Sequence, residues 1–311
     1  MRIAVLLGGD SPEREVSLSS GQNIVEALRA NGHAVTALDP GEESRRVLPV
    51  IYETLHQGAF DMVFNALHGG KGENGYIQSV LEMLHVPFTG SGAEGCMLAM
   101  DKEVSKLIAS AAGIATPKFA LARADNFDDL AQKLTLPFII KPADGGSSLG
   151  FHIIRKKEDY TPAWRDAIQY GMKILAEQYV PGSEIAAGVL KGAALPLVHI
   201  IPKHEVYDYT CKYTPGMSRY VVPADLDETI TRAIQETAVN IYGLLGLKNY
   251  ARIDFLVGTD GIPYFIEANT LPGMTATSLL PKAARAAGWD FNQLLEEIIQ
   301  DARRHYEHQK K

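Results

Sequence analysis

Cysteine is close to absent: Cys96 and Cys211 are the only two in 311 residues, and they stand far apart, outside any metal-binding spacing. A disulfide scaffold and a zinc site are therefore not expected. Long apolar runs are missing as well. The apolar start at 3–7 ends at Gly8-Gly9-Asp10, too short for a signal-peptide core, and no later run reaches membrane-spanning length. Export and membrane insertion drop out, and a reduced cytoplasm is the expected compartment. Positive charge is not in excess either, since 30 Lys and Arg against 37 Asp and Glu leave a net charge of -7. Nucleic acid and acidic membrane surfaces are thereby excluded as general partners, so any anion must be met by local lysines and arginines, and a small substrate is expected. There is no internal repeat and no low-complexity tract. What remains is an ordinary globular composition, 46% hydrophobic, in a chain long enough for two or three domains.

The first ninety or so residues alternate strand and helix. RIAVLLGG reads as a buried strand, 16–30 as a helix, HAVTALDP and FDMVFNALHGG as further strands, YIQSVLEMLH as a helix and VPFTG as a short strand. Together they predict a small open parallel sheet, whose ligands collect beyond the carboxyl ends of its strands. Those ends carry Gly8-Gly9-Asp10-Ser11-Pro12-Glu13 and His68-Gly69-Gly70-Lys71-Gly72-Glu73-Asn74-Gly75. Asp39 sits where a dehydrogenase keeps its ribose-binding acid, but the dinucleotide fingerprint fails because no later glycine follows Gly8-Gly9 at the required spacing. Taken alone, Glu13 reads as a favourable acid in the first turn of a helix capped by Ser11 and begun by Pro12.

A second unit opens with a helix over 97–111 containing Asp101-Lys102, then a strand near KFALA and a helix over NFDDLAQKL. At its centre, LPFIIKPADGGSSLGFHII places Lys141 at the end of one strand and an Asp-Gly-Gly-Ser-Ser-Leu-Gly loop before the next. Two glycines and two hydroxyls offer donors to phosphate oxygens, with Lys141 as a nearby point charge. A plain hairpin connection fits those residues equally well, and a Walker A loop does not, because the lysine precedes the glycines. The strand MKILAEQYV follows. Glu177, Tyr179 and Val180 suit the hinge of an adenine pocket and Glu184 a ribose contact, although Glu177 alone reads as a strand-face charge.

The third unit begins with EIAAGVL and LPLVHIIP joined by Lys191-Gly192. A long irregular stretch over 206–227 has the length of a lid. The helices ETITRAIQETAVNIYGLLG and FNQLLEEIIQDARRHYEHQ flank YARIDFLVGTDGIPYFIEANTLPGM, and the basic end, Lys310-Lys311, reads as a solvated terminus. If Asp260-Gly261 is a two-residue type I′ turn, paired residues sum to 521, so Asp254 faces Glu267 and Arg252 faces Asn269 on one side. Ile253, Phe255, Ile266 and Ala268 fall on the other. Opposed carboxylates repel, so a divalent cation is the natural resident, and two carboxylates with an amide oxygen suit Mg²⁺. A solvated sheet face that is charged by chance is the alternative.

The motifs LLGGDSPEREVSL from Leu6, ALHGGKGENG from Ala66, TGSG from Thr89, MDK from Met100, IIKPADGGSSLG from Ile139, CKY from Cys211, ARIDF from Ala251 and IEANTLPGMTATSLLP from Ile266 follow one another in this order. In that order the chain closely resembles the D-alanine:D-alanine ligases of the ATP-grasp superfamily. The resemblance implies an α/β fold, α+β in the C-terminal part, with three domains: a Rossmann-like parallel sheet (1–93), a central ATP-grasp domain (94–183) and a C-terminal ATP-grasp domain (184–311). ATP would be held between the last two. It implies an ATP-dependent, ADP-forming reaction in which one D-alanine carboxylate becomes an acyl phosphate and the amine of a second D-alanine attacks it, for peptidoglycan synthesis.

The resemblance also implies roles. Asp254, Glu267 and Asn269 would hold two Mg²⁺ ions, for which Mn²⁺ can substitute. Lys102, Lys141 and Lys212 would bind phosphates, and Glu177, Tyr179, Val180 and Glu184 the nucleoside. Arg252 and the Gly273 N–H would face the oxyanion, Arg252 also balancing the adjoining acids. Glu13 would bind the first substrate's ammonium in a set with Ser147 and Tyr213, His68 would lie near its carboxylate, and Ser278 and Leu279 would fix the second carboxylate. A homodimer is implied. Departures are small: Asp144-Gly145 stands where relatives often carry another polar pair, and Lys71 occupies a variable position. A sister ligase using D-lactate or D-serine would keep the ATP chemistry, although Lys212-Tyr213 favours the amide product; a non-catalytic nucleotide-binding regulator would be expected to lose Arg252 or a metal ligand.

Overall fold

The computed structural model describes residues 1–41, 44–57, 60–275 and 278–309, excluding the side chains at 44–47, 213, 308 and 309. Lys310-Lys311 and the side chain of Tyr213 thus lie outside the described residues. The N-terminal part runs β1 (Arg2–Leu6), α1 (Arg14–Ala30), β2 (Ala34–Leu38), α2 (Ser44–Gln57), β3 (Met62–Asn65) and α3 (Tyr76–Met83). Its three strands form a parallel sheet in the order β2-β1-β3. Every β1 residue after Arg2 is buried, as a central parallel strand requires. The strand expected at VPFTG shrinks to one bridge, Val63 to Phe88, because the Gly90 amide turns away to the Asn249 side chain at 2.9 Å. Helix α1 begins after Glu13, not at Pro12, and the Ser11 hydroxyl bonds the His68 carbonyl while accepting from the Glu13 amide at 3.1 Å.

The central part runs α4 (Ala93–Met100), α5 (Lys102–Ala111), β4 (Phe119–Ala122), α6 (Phe127–Leu134), β5 (Phe138–Pro142), β6 (His152–Ile154), α7 (Lys157–Ala167) and β7 (Ile174–Gln178). The single helix expected over 97–111 is two. Asp101 leaves helical geometry at ψ 99° and caps α5 by accepting from the Glu103 and Val104 amides. The strands pair antiparallel in the order β4-β7-β5-β6. Phe138, Ile140, Ile174 and Ala176 bury one face under α6 and α7, which leaves Ile139, Lys141, Leu175 and Glu177 on the other.

The C-terminal part runs β8 (Gly182–Leu190), β9 (Ala193–Ala194), β10 (Val198–Pro202), α8 (Tyr209–Tyr213), β11 (Ser218–Val221), α9 (Glu228–Leu244), β12 (Tyr250–Gly258), β13 (Pro263–Asn269), α10 (Leu279–Ala286) and α11 (Phe291–Gln309). The stretch over 206–227 is not irregular: it contains α8, and β11 pairs with β10. The sheet order is β11-β10-β8-β12-β13 with β9 on β8. Ile185, Ala187, Val189, Ala251, Ile253 and Phe255 face a core that includes α9 together with Ala99 and Ala109 of α4 and α5. The opposite face buries Ala186, Leu190 and Tyr250 in a core shared with β1, α1, α10 and α11, so the N-terminal and C-terminal sheets are packed as one body there.

The hairpin register at the acids is as expected, for a different reason. The tip is a three-residue loop, with the Gly261 amide on the Gly258 carbonyl at 2.9 Å and Gly258 N on Ile262 O at 3.0 Å, and Gly261 alone at positive φ. Pairs near the tip therefore sum to 520, as in Phe255 with Phe265, and a bulge at Ile266 restores 521 at Asp254 with Glu267. The bulge moves Ile266 off the expected apolar face and into the lining of the cleft described next. Phe255 and Phe265 pack edge to face at 6.4 Å behind it, an aromatic contact worth about 1 kcal/mol.

Candidate active site

The free faces of the central and C-terminal sheets enclose a cleft of about 310 Å³. Lys102, Lys141, Ser147, Glu177, Tyr179, Val180, Glu184, Lys212, Arg252, Asp254 and Glu267 all line it. Strand alternation puts Glu184 of β8 beside Leu256 of β12 and Asp254 beside Ala186, with Arg252 across from Asn269. Arg252 clasps Asp254 with two bonds, Nε to Oδ1 at 2.7 Å and Nη2 to Oδ2 at 2.8 Å, and the Asn269 amide donates to Asp254 Oδ2 at 3.0 Å.

Glu267 is the electrostatic centre. Burial works to raise its carboxyl, yet Lys102, Lys212, Lys141 and Arg252 together hold it well below the usual carboxylate range. Lys102 Nζ lies 3.1 Å from Glu267 Oε2 and donates to the Gly145 carbonyl at 2.6 Å, tying α5 to the glycine loop. Glu184 differs: burial pushes its carboxyl up to about 7 against the pull of Lys212. At the far end, Glu177 Oε2 stands 3.1 Å from both Lys141 Nζ and Lys106 Nζ. Burial opposes its ionisation, but the two ammonium groups keep its carboxyl below the ordinary value. Two facing carboxylates, Asp254 and the ionised Glu267, and an amide make an oxygen-donor set that fits a hard divalent cation, with the Asn269 amide turned to present oxygen.

A second group of residues lies where the glycine loops meet. The Ser147 hydroxyl donates to Glu13 Oε1, joining the phosphate loop to the N-terminal part. Ser147 and Ser148 both take positive φ, 53° and 57°, a conformation that costs energy in a non-glycine residue. Glu13 is at the N-cap position of α1, yet it makes no capping bond there and turns instead into a slot walled by glycine. A Cβ on Gly69 or Gly146 would meet its Oε2 at 2.5 or 2.8 Å. Burial and Glu73 push the Glu13 carboxyl up, while Ser147, His68 and Lys212 pull it down. His68 is buried, with Nε2 3.1 Å from Ser20 Oγ and Nδ1 3.4 Å from Glu73 Oε1. Ser20 Oγ also accepts from the Met274 amide at 3.3 Å, bringing His68 next to the Gly273 segment. Ser278 occupies the N-cap of α10 without a side-chain cap; its Oγ instead accepts from Thr275 N at 3.0 Å and lies where a Cβ on Gly273 would be met at 2.9 Å. Leu279 is the first residue of α10 and is buried.

The sequence-expected residues thus form two adjoining groups, with Glu13, His68, Gly273, Ser278 and Leu279 outside the cleft and linked to it by Ser147. Ser148 adds a tie to the expected lid, its hydroxyl donating to the Tyr207 carbonyl at 3.3 Å. Asp39 is occupied by Arg14 at 2.6 Å and by the Gly9 and Gly41 amides, a purely structural placement. Sequence reasoning missed Lys106, Ser20 and Glu73. Lys106 was readable as the residue four beyond Lys102, on the same helix face, whereas the serine carried no signal.

Two family models match the chain: the C-terminus of D-ala D-ala ligase over residues 108–300 and its N-terminus over residues 42–91. A D-alanine--D-alanine ligase of Gloeobacter violaceus is 45% identical over 304 residues, covering 96% of this chain and 98% of that protein. The crystal structure of a Bacillus anthracis D-alanine--D-alanine ligase complexed with ATP superposes with a TM-score of 0.86 at 31% identity, covering 99% of each chain. A D-Ala:D-Ser ligase, VanG of Enterococcus faecalis, superposes with a TM-score of 0.82 at 27% identity, over 97% of this chain and 99% of that one.

Proposed function

The chain belongs to the D-alanine--D-alanine ligase family, and on that premise we propose that it joins two D-alanine molecules to D-alanyl-D-alanine at the expense of ATP, releasing ADP and phosphate. The product serves peptidoglycan synthesis. The observation that carries this reading is the convergence of Lys102, Lys141, Lys212 and Arg252 on Glu267 inside a cleft flanked by two sheets.

In this reading Tyr179 and Val180 hold the base, with Glu177 beside them, and Glu184 meets the ribose. Lys102, Lys141 and Lys212 hold the phosphates, while Ser147 and its glycine neighbours close over them. Asp254, Glu267 and Asn269 would hold two Mg²⁺ ions, or Mn²⁺, which when bound neutralise charge building on the transferred phosphoryl group. Glu13, kept in place by Gly69 and Ser147, binds the ammonium of the first D-alanine, and His68 lies near its carboxylate. That carboxylate attacks the γ-phosphorus, ADP leaves, and the acyl phosphate is held against Arg252 and the Gly273 amide. Ser278 and Leu279 orient the second D-alanine by its carboxylate. Its amine attacks the acyl carbon, the tetrahedral oxyanion forms facing Arg252 and Gly273, and phosphate departs. Tyr213 completes the set with Glu13 and Ser147.

The three units, 1–93, 94–183 and 184–311, supply the first-substrate loops, the phosphate loop and the metal acids respectively. The working form is a cytoplasmic homodimer; no helix among the described residues is long and apolar enough to cross a membrane. D-serine is the second reading for the second substrate, favoured by the likeness to a D-Ala:D-Ser ligase. The test is ADP release with ATP, Mg²⁺ and a panel of D-alanine, D-serine and D-lactate. D-alanine alone should support full turnover; ADP release only when D-serine or D-lactate is added would make the chain a sister ligase, and none with any of them would remove the proposal.

A further inference from the structure

Lys106 is fully buried, outside the cleft lining, and no step above uses it. It lies one helical turn beyond Lys102 on α5, so both ammonium groups point the same way, Lys102 toward Glu267 and Lys106 deeper. An ammonium has three N–H donors, and three oxygens surround this one: Thr116 Oγ1 at 2.8 Å, the Phe265 carbonyl at 3.1 Å and Glu177 Oε2 at 3.1 Å. The Phe265 ring adds a cation-π contact, its centroid 5.8 Å from Nζ. Burying such a charge is costly, and an apolar side chain of similar volume is often as stabilising. What an apolar residue cannot supply is a donor to two oxygens at fixed places together with a positive charge against the third.

Those oxygens belong to different ends of the site. Glu177 lies beside the base-end residues Tyr179 and Val180 and also touches the phosphate-end Lys141. Phe265 is the residue next to the Ile266 bulge that restores the register of Glu267 with Asp254. β13 is an edge strand, and the backbone of Phe265 is held from outside the sheet: its N–H by the Ala115 carbonyl at 2.8 Å, its carbonyl by Lys106 and by Thr116 Oγ1 at 2.8 Å. A bulge at an edge is otherwise free to shift by one residue, and a one-residue shift would turn Glu267 away from Asp254.

We propose that Lys106 is a positioning residue that couples the two ends of the nucleotide site, fixing the bulge that aims Glu267 while holding the Glu177 carboxylate between two lysines. This deepens the proposed function and rests on nucleotide occupying the cleft. Burial pushes the Lys106 ammonium down to about 8 against the pull of Glu177, in keeping with a charge retained by its partners.

The test compares wild type with Lys106→Met, Lys106→Arg and the double variant Lys106→Met/Glu177→Gln, reading KM for ATP, half-saturating Mg²⁺, KM for D-alanine and thermal stability. Lys106→Met should raise both the KM for ATP and the half-saturating Mg²⁺ by about tenfold or more, leaving the KM for D-alanine within about twofold. Lys106→Arg should recover part of both. The double variant also removes the carboxylate that Lys106→Met leaves to Lys141 alone, so its melting temperature should return toward wild type while the Mg²⁺ requirement stays high, because the Phe265 carbonyl still lacks the Lys106 donor and keeps only that of Thr116. It carries the same readout should Lys106→Met fail to fold. A double variant with wild-type Mg²⁺ dependence would reduce Lys106 to a structural charge and overturn the inference. A wild-type protein without ATP turnover would instead overturn the proposed function, so the two failures are distinguishable.

Discussion

Replacing Gly69 by alanine should separate the substrate slot from the nucleotide cleft. Two effects act at this residue. Its backbone sits at φ +67° and ψ 169°, a region held essentially by glycine alone, so an L residue there costs on the order of 1–3 kcal/mol, and its new Cβ would stand 2.5 Å from Glu13 Oε2. Reaching ordinary van der Waals separation, 3.4 Å or more, requires the carboxylate to retreat by about 1 Å. A misplacement of that size costs on the order of 10²-fold in a reaction that depends on orientation. Gly32 is the control: its φ is +86°, and an added Cβ there meets nothing within 4 Å. Both variants should lose stability in a thermal melt, Gly69→Ala the more because it adds the close contact with Glu13. Only Gly69→Ala should lose about 10²-fold in kcat/KM for D-alanine, with the KM for ATP unchanged because Glu13 lies outside the cleft. Equal activity in the two variants would refute the claim that Gly69 keeps Glu13 in place.

Three further outcomes follow from other parts of the site. Glu267→Gln should lower Mg²⁺-dependent turnover by orders of magnitude while circular dichroism stays unchanged; near-normal turnover would contradict the metal assignment. Glu184 has its carboxyl raised to about 7 in the folded protein against a reference of 4.5, so between those values the folded state binds the proton more tightly and stability falls as pH rises. The ligand-free Glu184→Gln variant should accordingly gain stability relative to wild type between pH 5 and about 8, and a constant difference across that range would count against it. Amide hydrogen exchange over 206–227 should slow when ATP and D-alanine bind, since Ser148 and Tyr207 already join this segment to the phosphate loop; unchanged exchange would argue against closure.

Much of this arrangement is visible in the chain because periodicity writes it there. Alternation along β12 and β13 put Arg252, Asp254, Glu267 and Asn269 on one face, and glycine clusters marked the loops that approach Glu13. The hairpin shows the limit of such reading. Its tip holds one more residue than a type I′ turn, and the Ile266 bulge cancels the offset, so the acids pair as expected while Ile266 changes sides. Bulges depend on tertiary grips such as Lys106 and Thr116 on Phe265, which local sequence does not display. The same holds at Asp101, where a helix of good propensity breaks because the Lys102 amide bonds the Ala143 carbonyl at 2.8 Å. Order within 206–227 likewise comes from pairing with β10, a contact remote from local propensity. Ser20 was unreadable because a buried helix serine has no pattern of its own.

The acyl phosphate is the centre of the account, and its oxygen bookkeeping can be measured. When a D-alanine carboxylate oxygen attacks the γ-phosphorus, that oxygen becomes the bridge of the acyl phosphate and departs with phosphate once the second amine attacks. Turnover of carboxyl-¹⁸O-labelled D-alanine with unlabelled ATP and Mg²⁺, followed by mass analysis of the phosphate released, reads this directly. Transfer of one ¹⁸O atom into phosphate for each D-alanyl-D-alanine formed is the predicted result. Dipeptide formed with unlabelled phosphate would contradict activation of the carboxylate by phosphoryl transfer.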